Sequence, residues 1–205
     1  MSVEFVEALR VKMITPPDEE PFQIDELRKH IEAAAYGDSD LDPADDAMLL
    51  AMAKAAREYC EQWTGVAFSH RTMEAALDSF PSDAIVLPFP PLIGVTSIVT
   101  GTTSDDELDP ASYTIDDYSK PARLLPVTTW PSITAATNRI KIRFQCGYGQ
   151  DSDTEPLPWD LRAAMLLVFA HLYAHREETT EKALASIPLG AEALMRPHRV
   201  RLGMA

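Results

Sequence analysis

Apolar residues recur with the spacing of an α-helix in three parts of the chain. The patterns span residues 24–35, 43–64 and 158–178, where apolar side chains return every three or four positions. The second pattern also carries a start signal, because Asp42 precedes Pro43, and proline fits the first turn of a helix. The sequence therefore predicts three helices, at 24–35, 43–64 and 158–178.

The third of these helices is apolar on almost every side. Eleven of the fourteen residues from Leu161 to Ala174 are apolar. A helix of this kind must be buried on nearly all sides, either inside its own domain or against a neighbouring subunit.

The middle of the chain, residues 71–145, follows a different period. Short β-prone pieces are separated by prolines and glycines, and in the last piece, 140–145, apolar and polar residues alternate as they do in a half-buried strand. We interpret 71–145 as a small β-subdomain inserted between helices. The predicted fold class is α+β, with a helical bundle core, the β-subdomain, and extended N- and C-terminal arms.

Both terminal regions differ from the predicted central domain at 23–185. Residues 1–22 are predicted to form an extended arm, because Thr15–Pro21 contains three prolines and three acids. The C-terminal tail, 186–205, contains one predicted short helix at about 190–196, too short to be stable alone. The tail therefore either orders on a partner or folds back on its own domain.

The charge is strongly acidic and unevenly distributed. The formal net charge is −14 and the sequence pI is about 4.7, so the chain as a whole should repel nucleic acid. Residues 1–60 hold 14 acids and 6 bases, whereas the tail carries a net charge of +2. Contact of the tail arginines with DNA remains a minor alternative.

The N-terminal sequence and the cysteine content give no indication of export. The longest apolar stretch, 163–170, is shorter than the ~20 residues that cross a bilayer, and the N-terminus has no apolar signal core. We expect Cys60 and Cys146 to be reduced thiols in a cytoplasmic protein.

The stretch HLYAHRE offers the first candidate chemistry. His171 and His175 lie four residues apart, so one helix face would hold both imidazoles, as a metal site requires. The glutamate of an HExxH motif is missing, and the other histidines, at 30, 70 and 198, are scattered. The alternative is that His171 packs at a surface and that His175 stabilises the end of the helix.

Other motifs give weaker indications of catalysis. CGYGQ at 146–150 has two glycines but lacks the lysine of a phosphate-binding loop, and acids follow it. Cys146 has no recognisable base near it in the sequence. The residues alone therefore indicate no active site, no metal and no cofactor.

Several segments, taken in order, resemble a known family of phage proteins. The segments are MITPPDEEPF, IDELRKHI, AAREYCEQWTG, LDSFPSDAIVLPFPPLIGVTSI, DPASYTIDDYSKPARLLP, IRFQCGYG, PLPWDLRAAMLLVFAHLYAHRE and IPLGAEALMRPHRV. Together they are similar to the head–tail connector proteins of long-tailed bacteriophages, also called head-completion or adaptor proteins, which have relatives in gene transfer agents. His171, Tyr173, Arg176 and Glu177 match a recurring stretch of that family, whereas His175 stands where the family tends to have Asn.

The resemblance implies a structural protein of the virion neck without enzymatic activity. Members of the family form a ring, usually of twelve subunits, beneath the portal, and the ring continues the DNA channel toward the tail. The expected partners are further copies of the chain, the portal protein, a downstream stopper or tail protein, and DNA that passes without sequence-specific binding. No cofactor is expected.

Two sets of residues are predicted to make these contacts. The apolar faces of the helices at 43–64 and 158–178 exceed what a small bundle needs, so part of them is predicted to lie between subunits. The predicted subunit-interface residues are Met48, Met52, Tyr59, Trp63, Leu167 and His171. The predicted portal-docking residues are Leu189, Leu194, Met195, Arg196, Arg199, Val200 and Arg201.

Two other functions remain as alternatives. The chain could be another ring of the neck or tail, such as a stopper or tail terminator, although those proteins tend to be β-rich. It could also be a metal-dependent hydrolase that uses His171 and His175.

Overall fold

The chain folds into two compact units. The computed structural model describes residues 9–17, 19–33, 45–101, 106–149, 155–175 and 189–200. The helical unit comes from residues 19–68 and 149–205, and the β unit from residues 1–18 and 69–148. Helices and antiparallel strands are thus both present and largely segregated, which confirms the α+β fold class.

The described residues of the helical unit form four helices. They are α1 (Ile24–Ala33), α2 (Asp46–Thr64), α3 (Trp159–Ala174) and α4 (Leu189–Met195), and a 3-10 turn at Arg196–His198 follows the last. All three helices predicted from the periodicity are present. The predicted start at Asp42 and Pro43, and the predicted ends at 34–35 and 176–178, lie outside the described residues.

Helix α2 ends at a glycine for a steric reason. Gly65 has a φ of +74° and donates its N–H to the Glu61 carbonyl at 2.8 Å, the usual left-handed helix end. A β-carbon at this position would lie 3.2 Å from the Val200 carbonyl oxygen. The glycine therefore both stops the helix and lets the C-terminal backbone approach it closely.

Helix α3 is the centre of the helical unit. It contacts α1, α2 and α4, as its nearly all-apolar sequence requires. The apolar residues buried in the four helices are Leu27, Ile31, Leu49, Ala53, Ala56, Cys60, Leu161, Ala164, Met165, Val168, Phe169, Tyr173, Ala191 and Met195.

The strands described in the β unit form two antiparallel sheets. Its strands are β1 (Arg10–Thr15), β2 (Arg71–Leu77), β3 (Ile85–Val86), β4 (Leu92–Val99), β5 (Tyr113–Asp116), β6 (Arg123–Pro126) and β7 (Ile140–Cys146). The larger sheet has the order β1-β2-β7-β4 and the smaller one the order β3-β6-β5. Strand β7 has the predicted alternation, since Ile140, Ile142 and Phe144 are buried and Lys141 and Arg143 are exposed.

The N-terminal region differs from the predicted arm. Residues Arg10–Thr15 are extended, but they form a strand that pairs with β2, with Val11 opposite Ala75 and Lys12 opposite Glu74. The prolines and acids that follow disfavour a helix, yet they do not prevent the residues before them from joining a sheet. The strand is an edge strand, and all but Val11 of its residues are exposed, which explains why its sequence gives a weak strand signal.

A second glycine is required where β7 ends. Gly147 has a φ of +106°, and a β-carbon there would lie 2.2 Å from the Ser69 carbonyl oxygen. Its N–H donates to the Pro91 carbonyl at 2.9 Å. Both the backbone conformation and the close approach exclude any other residue without local rearrangement.

Replacement of this glycine should destabilise the β unit. We expect Gly147→Ala to lower the free energy of unfolding by about 1–3 kcal/mol, the usual cost of a strained backbone, and more if Ser69 cannot move. Chemical denaturation followed by circular dichroism measures the change. Gly94→Ala is the matched control, because a β-carbon at that position would have no atom of the described residues within 4 Å, and equal losses in both variants would contradict the argument.

Candidate functional site

The C-terminal segment, residues 189–200, is folded onto the helical unit. Helix α4 contacts α2 and α3, and it buries Ala191 and Met195 completely. Gly190 lies beside Leu167 of α3, since a β-carbon there would be 3.7 Å from Leu167 Cδ1. Of the two possibilities left open by the sequence, the structure has the segment folded back on its own chain.

His198 anchors the segment to the start of α3. Its Nε2 lies 2.5 Å from Oδ2 of Asp160, and Oδ1 of the same carboxylate accepts the Leu161 N–H at 2.9 Å. Burial opposes ionisation of Asp160, but the hydrogen bonds from His198 and from Leu161 outweigh it and lower the pKa of Asp160 below its ordinary value.

Two further contacts anchor the segment to the end of α2. The Arg199 guanidinium lies 4.9 Å from the centre of the Trp63 ring, a cation–π distance, and the Val200 N–H donates to the Thr64 carbonyl at 2.7 Å. The last carbonyls of a helix lack partners within the helix. Val200 therefore satisfies one of them, and the segment closes the end of α2.

The predicted docking residues thus fall into two groups. Met195 is buried, and Leu194 and Val200 are half-buried within the helical unit. Leu189, at 83% exposure, and the two arginines Arg196 and Arg199 face solvent. Arg201 lies outside the described residues. Any partner that meets the folded segment would contact the second group.

The predicted subunit-interface residues are half-buried in the single chain, apart from Leu167, which is exposed. Part of this apolar surface is covered within the chain, because Arg199 lies over Trp63 and α4 lies beside Leu167. Tyr59 lies near Glu192, and burial together with that negative charge raises the pKa of Tyr59. Met48, Met52 and His171 are half-buried as well, so their role between subunits stays a prediction.

His171 lies on α3, and His175 directly follows the end of that helix. Their ring centres are 4.2 Å apart, but His175 directs Nδ1 at the His171 carbonyl oxygen, 2.8 Å away. No group of three or more His, Cys, Asp or Glu side chains with metal-binding geometry occurs in the part of the chain that the structure describes. His175 instead satisfies a carbonyl near the helix end.

The two cysteines are buried, and neither forms a disulfide. Burial, together with the negative charge of Glu61, raises the pKa of Cys60 to about 12, so this thiol stays protonated at neutral pH. Cys146, considered above as a nucleophile, has no exposed surface.

Sequence reasoning missed a buried ionic cluster on α2. Arg57, only 4% exposed, donates to Glu20 from Nε at 2.8 Å and to Glu61 from Nη1 at 2.9 Å, and Oε1 of Glu61 accepts the Phe68 N–H at 2.7 Å. Burial alone would lower the pKa of Arg57, but the carboxylates of Glu20 and Glu61 outweigh this effect and raise the pKa above its ordinary value. An arginine and a glutamate four residues apart on the buried face of α2 were the available signal.

A second arginine holds the same stretch of chain. Arg162 of α3 donates to the Pro21 carbonyl at 2.6 Å and to both carboxylate oxygens of Glu26, and it lies 4.3 Å from the centre of the Phe22 ring. Residues 20–22, predicted as part of an arm, are therefore fixed to α2 and α3 by two arginines.

None of the described helices is long and apolar enough to span a bilayer.

Comparison with known proteins identifies structural relatives only. No protein-family model matches the chain, and no curated protein sequence matches it. A chain from the virion of a native gene transfer agent particle superposes with a TM-score of 0.75 and 26% identity, over 95% of this chain and 98% of that one. A chain from the neck of an empty gene transfer agent particle, computed with C6 symmetry, gives a TM-score of 0.75 at 25% identity, over 96% of this chain and 98% of that one.

A third chain, from the neck of a native gene transfer agent particle computed with C12 symmetry, gives a TM-score of 0.70 at 23% identity, over 96% of this chain and 98% of that one, and shows a shared fold. The three likenesses each cover nearly the whole length of both chains. The first two, at 26% and 25% identity, support a structural protein of a virion neck.

The contact between His198 and Asp160 should control how tightly the segment is held. We expect Asp160→Asn to weaken it by about 0.5–1 kcal/mol, a modest value because the carboxylate is partly exposed. Faster hydrogen exchange in residues 189–200 would measure the change. Asp117→Asn, which alters an exposed carboxylate of the β unit, is the control.

The same contact gives the expected pH dependence. The pKa of Asp160 is lowered in the folded chain. Its carboxylate therefore contributes fully to the stability of the segment above the ordinary aspartate pKa, and this contribution is lost as the pH falls through the lowered pKa. The exchange rates of native protein and Asp160→Asn should therefore converge at acid pH. Parallel curves at all pH values would contradict this.

The ionic cluster should contribute to stability more strongly. Arg57→Met leaves Glu61 buried without its arginine, and we expect a loss of about 3 kcal/mol or more in the free energy of unfolding. Lys54→Met on the exposed side of the same helix is the control and should cost little. Thermal and chemical denaturation of the two variants measure the difference.

Proposed function

We propose that the chain is a ring-forming adaptor of a virion neck, which connects the portal of the head to the tail and continues the DNA channel. The observation that carries this proposal is the likeness, at a TM-score of 0.75 over 95% of the chain, to a chain of a gene transfer agent virion. A likeness in both units supports a shared role better than one shared subdomain would.

Symmetry in the related particles supports a ring. One similar chain at 25% identity comes from a neck computed with C6 symmetry, and subunits that repeat around an axis contact their neighbours head to tail. Twelve subunits is the number that the sequence resemblance implies. The role is structural, so it requires neither a metal nor a cofactor.

The charge of the chain suits passage of DNA through such a ring. A net charge of −14 on each subunit disfavours the release of counterions that drives binding to DNA. DNA can then move past the ring without sequence-specific contacts.

We infer that the portal meets the outer side of the folded C-terminal segment. The exposed Leu189 supplies an apolar anchor, and Arg196 and Arg199 can each pair with a carboxylate of the portal. Met195 and Ala191 are buried and hold the segment in place.

A double substitution on the outer side tests this docking. We expect Leu189→Asp with Arg196→Glu to stay folded, because both side chains are exposed, and to reduce co-purification with the portal protein of the same particle at least tenfold. Val127→Asp with Lys120→Glu is the control, because it also replaces an exposed apolar residue by an acid and an exposed base by an acid, but on the β unit. Undiminished binding of the first variant would show that the segment is not the docking element.

The position of the protein in the particle tests the wider proposal. Electron microscopy of particles with a tagged copy of the chain should place the tag in a ring directly beneath the portal. A tag nearer the tail would identify a stopper or a tail terminator instead, and a tag absent from the neck would reject the proposed function.

A further inference from the structure

The larger sheet of the β unit has one face that packs in the core and one that is open. On β2 and β7 the buried residues alternate with Thr72, Ala76, Lys141, Arg143 and Gln145, which are half-buried or exposed. An antiparallel sheet commonly leaves one face to solvent in this way. We call this open side the outer sheet face.

Basic side chains collect on the outer sheet face. In one row across the strands, Arg10 lies opposite Ala76, and Ala76 opposite Lys141; in the next, Lys12 lies opposite Glu74, and Glu74 opposite Arg143. Four bases therefore share the face with Glu74, with Asp78, which pairs with Arg10, and with Glu107, which lies opposite Val99 in the row of Lys141. The face thus carries a small excess of positive charge in a chain of net charge −14.

Glu74 lies between two of these bases and binds both of them. It is 6% exposed and accepts hydrogen bonds from Lys12 at 2.7 Å and from Arg143 at 3.1 Å, one on each oxygen. Burial opposes its ionisation, but the two bases outweigh this and lower the pKa of Glu74. The carboxylate thus stays charged and fixes the two bases over it, and each retains N–H donors for a second acceptor.

The rest of the chain carries the opposite charge. The residues of the helical unit, 19–68 and 149–205, comprise 20 acids and 10 bases, a net charge of −10, against −4 for the β unit. A ring of identical subunits in head-to-tail contact needs two different surfaces that complement each other. A basic face on one unit and an acidic surplus on the other meet this requirement.

We propose that the outer sheet face of each subunit binds the acidic helical unit of the next copy in the ring. This inference rests on the ring proposed above and adds which surfaces meet. Complementary charge offsets part of the repulsion between subunits of charge −14 and selects one relative orientation.

DNA is the other polyanion that a basic face can bind, and the observations favour it less. An ionised carboxylate lies in the centre of the face, and three of the four bases already pair with acids: Lys12 and Arg143 with Glu74, and Arg10 with Asp78. Phosphates gain little from such a face, whereas protein carboxylates extend existing ion-pair networks at a few defined points.

Charge reversal at Lys141 gives the cleanest test, since this exposed side chain can change without loss of the Glu74 contacts. Particles are assembled with native protein, with Lys141→Glu or with Lys120→Glu, and the copies of the protein in each neck are counted. Lys120 is the control, because it is an exposed base of the same unit outside the outer sheet face. We expect at least tenfold fewer copies with Lys141→Glu and no change with Lys120→Glu, while Lys141→Arg restores the native number. Equal numbers for all variants would overturn the inference.

Crosslinking in native particles identifies the occupant of the face. Copies labelled with heavy nitrogen are mixed with unlabelled copies, and a carbodiimide joins lysines to adjacent carboxylates. We expect mixed-isotope crosslinks from Lys12 or Lys141 to acids within 19–68 or 149–205. Crosslinks between copies only to acids of the β unit would overturn the inference.

The remaining outcomes separate this inference from the proposed function. If native protein forms no ring in the neck, the proposed function itself fails. If Lys141→Glu forms normal rings but binds duplex DNA more weakly than native protein in a mobility-shift assay, the face is a DNA surface, and only the inference about its protein partner is wrong.

Discussion

The helical unit depends on the burial of α3. A helix with eleven apolar residues in fourteen cannot leave a side open to water without a cost of about 25 cal/mol for each Å² of apolar surface. Helices α1, α2 and α4 each contact it. This requirement explains why seven residues of α4, too few to form a stable helix alone, are ordered next to it. It also explains why the C-terminal segment lies on its own chain.

Ionic contacts then fix what the apolar core only brings together. Arg57 and Arg162 hold residues 20–22 against α2 and α3, and His198 and Arg199 hold the C-terminal segment against α3 and α2. Each base meets a defined acceptor or ring, so these contacts select one arrangement of the two segments. Apolar packing alone has no comparable directionality.

The sequence predicted local structure well and distant pairing poorly. Helical period is set by residues three and four apart, so 43–64 was recognisable without its surroundings. Strand β1 was not, because what makes Arg10–Thr15 a strand is its partner Arg71–Leu77, some sixty residues away. The same limit applies to Arg57, whose partner Glu20 lies 37 residues from it and outside any local period.

Candidate site residues show where composition misleads. Tyr59 and Trp63 looked like surplus apolar surface because their partners, Glu192 and Arg199, come more than a hundred residues later. The outer sheet face was hidden for a related reason: Lys12 and Arg143 are 131 positions apart in sequence, and only the register through Glu74 brings them together. A net charge of −14 describes the whole chain, but an interface responds to the charge of the face it uses. A strongly acidic chain can therefore offer a local face on which several of its bases are collected, while most of its acids belong to the other unit.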